Sequence, residues 1–162
     1  MTREIIGAIA LSLVAVIATL IFLSNRSVRK AQEAALPMPT GVESVTQGIA
    51  GYYVSTVFWA TPLKRVWAWG LGGRGKALIE VSETGIAIER SGEVGLYIPA
   101  EQLVGATRAS ATIDKGVEKD GLLVLIWKLG NEELATHLRI VAKSQRKQLE
   151  EDLRTMLGVE IA

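Results

Sequence analysis

From Ile5 to Ser24 the chain reads IIGAIALSLVAVIATLIFLS. No position in this run is charged, and its polar residues are only Ser12, Thr19 and Ser24. A helix built from it has no polar stripe, as a soluble amphipathic helix would. At about 1.5 Å per residue it spans roughly 30 Å, the thickness of a bilayer's hydrocarbon core. Its β-branched residues do not oppose a helix there, because lipid forces backbone groups to pair within the segment. A cleaved signal peptide has a shorter apolar core and a small-residue cleavage site, and the following NRSVRK is a poor cleavage context. The pattern predicts a transmembrane anchor within residues 1–25.

The polar pattern then loses any period. Residues 26–50 hold Pro37, Pro39 and Gly41 among small and polar residues, which reads as a juxtamembrane segment and linker. As a flexible coil, its part from residue 31 on would reach about 25 Å from the bilayer. From Gly51 the period becomes two. GYYVSTVFWA, VWAWGL, KALIEV, GIAIER, VGLYIP, ATRASATI, GLLVLIWKLG and LATHLRIV read as short strands. Ala77, Ile79 and Val81 share one face, as do Ile86 and Ile88, and SETG joins the two runs as a hairpin. VWAWGL, read as a strand, puts Trp67 and Trp69 on one face.

At residues 144–157 the spacing becomes helical. Leu149, Leu153, Met156 and Leu157 form one stripe, Ser144 is placed to cap the start, and Gly158 the end. Such a stripe must lie on something, and the open end of a β barrel or sandwich is the surface available. The expected fold class is therefore α+β, mainly β: an anchor helix, then residues 51–162 as an antiparallel barrel or sandwich of about seven strands closed by a C-terminal amphipathic helix.

Charge adds orientation. Arg3 before the apolar run is offset by Glu4, whereas Arg26, Arg29 and Lys30 follow it with no acid before Glu33. Cationic flanks stay in the cytoplasm, so the N-terminus is expected outside and the β domain inside. The whole chain is nearly balanced, with 18 Lys+Arg against 17 Asp+Glu, unlike a nucleic-acid binder.

Candidate chemistry is sparse. There is no cysteine, which excludes disulfides, thiolate metal sites and cysteine nucleophiles. The single histidine, His137, falls out of register with the apolar face of its strand and reads as a surface residue. One His without Cys does not build a typical zinc site. No catalytic, metal or cofactor residue is assigned, and an enzyme is not expected.

The hexamer GLGGRG at residues 70–75 matches the dinucleotide pattern G-x-G-x-x-G. That motif needs a helix opening at its last glycine and a parallel strand beyond. Here a hairpin follows instead, so the glycines are expected to serve a sharp bend with close strand approach. A nest of backbone N–H groups for an anion is the lesser alternative. Around the hexamer, Lys64, Arg65, Arg74 and Lys76 occur in a stretch free of acids between Glu43 and Glu80, together with Trp67 and Trp69. Basic residues with amphipathic rings suit an anionic membrane interface, whereas aromatic core filling beside solvated turns is the plainer reading. These six residues are the candidate lipid or partner surface.

The stretches PLKRVWAWGLGGRGKALIEVSETGIAIER, YIPAEQLVGATRASATID and GLLVLIWKLGNEELATHLRI resemble an actinobacterial family of single-pass membrane proteins with a bacterial pleckstrin-homology-like (PH-like) domain. Its members are often labelled export or transporter proteins. The resemblance implies a non-enzymatic, membrane-anchored binding or scaffold module at the cytoplasmic membrane surface, with an unidentified protein partner. The alternatives are a module that binds anionic lipid headgroups and an accessory subunit of a transport or biosynthetic membrane complex. One helix alone encloses no transport path.

Overall fold

The computed structural model describes residues 2–42, 44–112, 115–116 and 121–158. Helix α1 runs unbroken over Thr2–Ala35, 34 residues and roughly 50 Å. Its apolar part, including Ile5, Ile9, Leu13 and Leu20, is exposed all round, and the helix is long and apolar enough to cross a membrane. It does not end where the apolar run ends. Residues 25–35 continue it by roughly 16 Å.

The strands are β1 (Ile49–Phe58), β2 (Thr61–Arg65), β3 (Gly75–Ser82), β4 (Gly85–Arg90), β5 (Leu96–Pro99), β6 (Leu103–Ala109), β7 (Ala111–Thr112), β8 (Lys115–Gly116), β9 (Leu122–Leu129) and β10 (Glu132–Arg139), followed by α2 (Lys143–Leu157). One open antiparallel sheet has the order β5-β4-β3-β1-β10-β9-β6, with β2 paired to β1 as its eighth strand; β7 and β8 form a separate two-stranded pair. Strand β1 is shared, its first half pairing with β3 and its end with β2. Strand β2 forms at Thr61–Arg65, and VWAWGL is not a strand. Residues Ala68–Gly70 make one turn of 3₁₀ helix instead, with Trp67 preceding it, so the two tryptophans do not share a strand face.

The alternation holds on the core face. Ala77, Ile79, Ile86, Ile88, Leu134, Leu138 and Ile140 are buried together with Leu149 and Leu153 of α2. Helix α2 begins at Lys143, after Ala142, without the Ser144 cap; Gly158 ends it at φ +66° with its N–H donating to the Arg154 carbonyl at 2.8 Å. Arg108 of β6 donates two hydrogen bonds, 3.0 and 2.6 Å, to the Glu150 carboxylate and so ties α2 to the sheet. Polar atoms inside the core pair among themselves. The Tyr53 hydroxyl bonds to the Thr56 hydroxyl, which meets that of Thr136 at 2.7 Å, and the Trp127 indole N–H donates to Thr136 at 2.9 Å.

Two further expectations are corrected. His137 is buried, because the central strands cover both of their faces and Val57, Val124 and Ala135 form a second small apolar cluster. Burial holds its imidazole pKa below the ordinary histidine value. The segment after α1 is also not a free coil. Leu36 is inside the main core, and Val45 is buried with its N–H on the Glu89 carboxylate at 2.9 Å. Between them, the Tyr97 N–H donates to the Thr40 carbonyl at 2.8 Å and the Val42 N–H to the Gly95 carbonyl at 3.3 Å. The segment thus covers the exposed edge of β5, which would otherwise offer unpaired backbone groups.

Candidate functional site

The C-terminal end of α1 meets the loop between β2 and β3, and side chains from the helix satisfy the loop's backbone. The Gln32 Oε1 accepts from the Trp67 N–H at 2.5 Å and from the Ala68 N–H at 3.2 Å. Its Nε2 donates to the Arg65 carbonyl at 3.0 Å. One buried amide therefore uses donor and acceptor together on three backbone groups, at residues 65, 67 and 68. The Trp69 indole N–H donates to the Leu36 carbonyl at 3.3 Å, and the Trp69 backbone N–H lies 3.5 Å from Glu33 Oε1, at the outer limit of a hydrogen bond.

The loop so held is strained. Trp69 has φ +56°, the left-handed region that costs a non-glycine residue about 1–2 kcal/mol. Such a conformation persists only where its surroundings over-determine it. Here they do. Arg90, buried, donates to the Gly70 carbonyl at 2.8 Å and to the Val94 carbonyl, and stacks 4.8 Å over the Tyr53 ring. The Tyr53 hydroxyl donates to the Leu71 carbonyl at 2.9 Å. Burial raises the Tyr53 hydroxyl pKa, so it stays protonated as that donor. A Cβ on Gly72 would come within 2.6 Å of the Trp67 ring and 2.9 Å of the Val66 carbonyl. The hexamer's glycines thus serve close approach, as expected. Within the hexamer, the N–H groups of Leu71 and Gly73 donate to the Ala68 and Gly70 carbonyls at 3.0 and 3.1 Å.

Between α1 and this loop lies a cavity of about 550 Å³. The helix contributes Phe22, Asn25, Arg26, Arg29, Lys30 and Glu33; the loops contribute Trp67, Gly70, Gly73 and Glu93. Arg29 and Glu33 pair at 2.7 Å. Among the described residues neither Arg26 nor Lys30 enters an ion pair.

Of the six expected surface residues, Trp67 alone lines this cavity. Trp69 is half-buried beneath the helix end. Arg65 stacks 5.2 Å from the Trp67 ring, and Lys64 lies 5.0 Å over Phe58. Arg74 and Lys76 are exposed, Lys76 in register with Tyr52. Sequence reasoning used Arg26, Arg29 and Lys30 only as topology signals and gave no role to Gln32, Glu33 or Glu93. The basic flank was visible; nothing marked Gln32.

A family model for bacterial PH domain-like proteins matches residues 28–154. The chain belongs to that family. The match starts inside α1, so the unit shared by the family includes the helix end that carries Gln32 and Glu33, as well as the sheet and most of α2. A comparison with curated proteins gave no match. PH-like domains are generally non-catalytic, and this one, behind a helix able to cross a bilayer, fits a membrane-anchored module.

Proposed function

We propose that the protein is a non-enzymatic scaffold anchored by one membrane span, with its N-terminus outside and its PH-like domain against the cytoplasmic leaflet, presenting a face to a protein partner. The observation that carries this reading is the Gln32 clamp. A helix of spanning length continues past its apolar run and is gripped by the domain, so the domain is carried at a fixed height and orientation. The cationic flank Arg26, Arg29 and Lys30 supports the orientation.

The partner face is assigned to the β1–β2 turn and its neighbours. Leu63 is 84% exposed and Trp59 42%, with the exposed Lys64 next to Leu63 in the chain. Exposed aromatic and aliphatic residues with basic neighbours favour a protein surface over bulk water. The test is photo-crosslinking in cells, with a photoreactive residue at Leu63 or, as control, at Glu83 in the full chain. A discrete adduct from position 63 but not from 83 supports the reading. The same adducts from both positions, or none from either with a lone monomer on extraction, refutes it.

A further inference from the structure

We propose that the cavity between α1 and the glycine loop binds the phosphate of an anionic phospholipid from the leaflet beside the domain. The inference rests on the membrane-anchored reading above, and names a ligand for the junction that holds the domain in place.

Position is the first argument. Phe22 belongs to the apolar run, whereas Arg26 and Lys30 lie on the turns just beyond it. From Phe22 to Glu33 the cavity wall climbs roughly 16 Å along the helix. The polar layer of a leaflet is about 5–8 Å thick beyond the hydrocarbon. One wall of the cavity therefore starts in hydrocarbon, crosses the headgroup layer, and ends at the domain. A lipid beside α1 has its phosphate at the level of Arg26 and its acyl chains at the level of Phe22.

Charge is the second. The lining holds three cations and two carboxylates. Glu33 is already matched by Arg29 at 2.7 Å. Glu93 packs against the glycines, its Oε1 3.1 Å from where a Gly73 Cβ would stand, and its charge acts on Arg29, so the lining keeps a net charge of +1. Arg26 and Lys30 line the open space without a direct ion pair among the described residues, Lys30 lying in the field of Glu33. A bidentate guanidinium beside a lysine suits a phosphate oxygen pair. Size is the third: about 550 Å³ falls in the range of sites that hold a small molecule or headgroup. The half-exposed Trp67 indole, 45% accessible, forms the remaining wall, with the amphipathic character that aromatic residues have at membrane interfaces.

The measurement is native mass spectrometry of the full-length protein in neutral detergent, titrated with short-chain phosphatidylglycerol or phosphatidylcholine. The variant is Arg26→Gln with Lys30→Gln; the control is Arg146→Gln with Lys147→Gln, a basic pair on α2. Each basic residue at an anionic surface is worth about fivefold in association, so the variant should lose roughly 25-fold for phosphatidylglycerol while the control keeps it. Equal binding of the two lipids, an unchanged double variant, or an equal loss in the control would overturn the proposal. Displacement of the lipid by an equal concentration of inorganic phosphate would overturn the lipid assignment in favour of a soluble phosphate. Cell fractionation separates the two levels of failure. Protein found outside the membrane fraction refutes the anchored reading itself, whereas membrane-resident protein without lipid preference refutes only the pocket.

Discussion

Replacing Gln32 by alanine removes three of the hydrogen bonds that join α1 to the domain. The Ala68 N–H belongs to a fully buried residue, and the Trp67 N–H and Arg65 carbonyl lie beneath the helix. A hydrogen bond lost with its partner left stranded costs about 1–3 kcal/mol, and water reaches part of this loop. The clamp should therefore weaken by about 3 kcal/mol, a factor of roughly 150 in its opening equilibrium. Amide hydrogen exchange of the full-length protein in nanodiscs reads that factor directly at residues 67–69. Gln32→Ala should accelerate exchange there by about two orders of magnitude while the β9–β10 ladder keeps wild-type protection. Gln32→Glu keeps the two bonds that Oε1 accepts but sets a carboxylate oxygen against the Arg65 carbonyl, so it should not restore wild-type protection. Unchanged exchange at 67–69 in Gln32→Ala would refute the clamp, and acceleration spread evenly over the sheet would show that Gln32 merely supports folding.

Gly72→Ala should destabilise the domain by about 1–3 kcal/mol in thermal melts, because its Cβ would press on the Val66 carbonyl, which is backbone and cannot swing aside. Gly92→Ala, whose Cβ meets nothing within 4 Å, should cost only the strain of its φ +84°, about 1 kcal/mol; a Gly72 variant as mild as this control would contradict the packing argument. His137 has its pKa lowered by burial, so the unfolded chain takes up a proton that the folded chain refuses. Stability from this residue is present above the unfolded value near 6.5 and is lost as pH falls below it, with a slope of at most about 1.4 kcal/mol per pH unit. Melting temperatures from pH 7.5 to 5.5 should fall in wild type and stay flatter in His137→Gln; parallel curves would show that the buried imidazole is not the cause.

Where a pattern repeats along the chain, it could be read. The uncharged run at residues 5–24 required a long apolar helix, the alternation of Ile86 and Ile88 with Ala87 and Glu89 required a strand, and Leu149 and Leu153 required a buried helical stripe. What escaped are singular contacts. VWAWGL alternates like a strand, yet Trp69 turns to φ +56° because Arg90, Tyr53 and α1 all hold carbonyls or N–H groups of that loop. Leu36 and Val45 anchor the stretch between α1 and β1, but two apolar residues nine positions apart have no period to detect. Gln32 escaped for a stronger reason: it binds backbone, so no complementary side chain elsewhere in the sequence points to it. His137 was misplaced because out-of-register was equated with exposed, whereas the central strands bury both faces.

Electron–electron distance measurement in nanodiscs tests the rigid coupling of helix and domain most directly. The chain has no native cysteine, so labels at Ala31→Cys on α1 and Glu83→Cys on the β3–β4 turn report one distance without background. A single narrow distribution that broadens in Gln32→Ala is the expected result. A broad distribution in the wild-type protein, of the kind a flexible tether gives, would contradict the account.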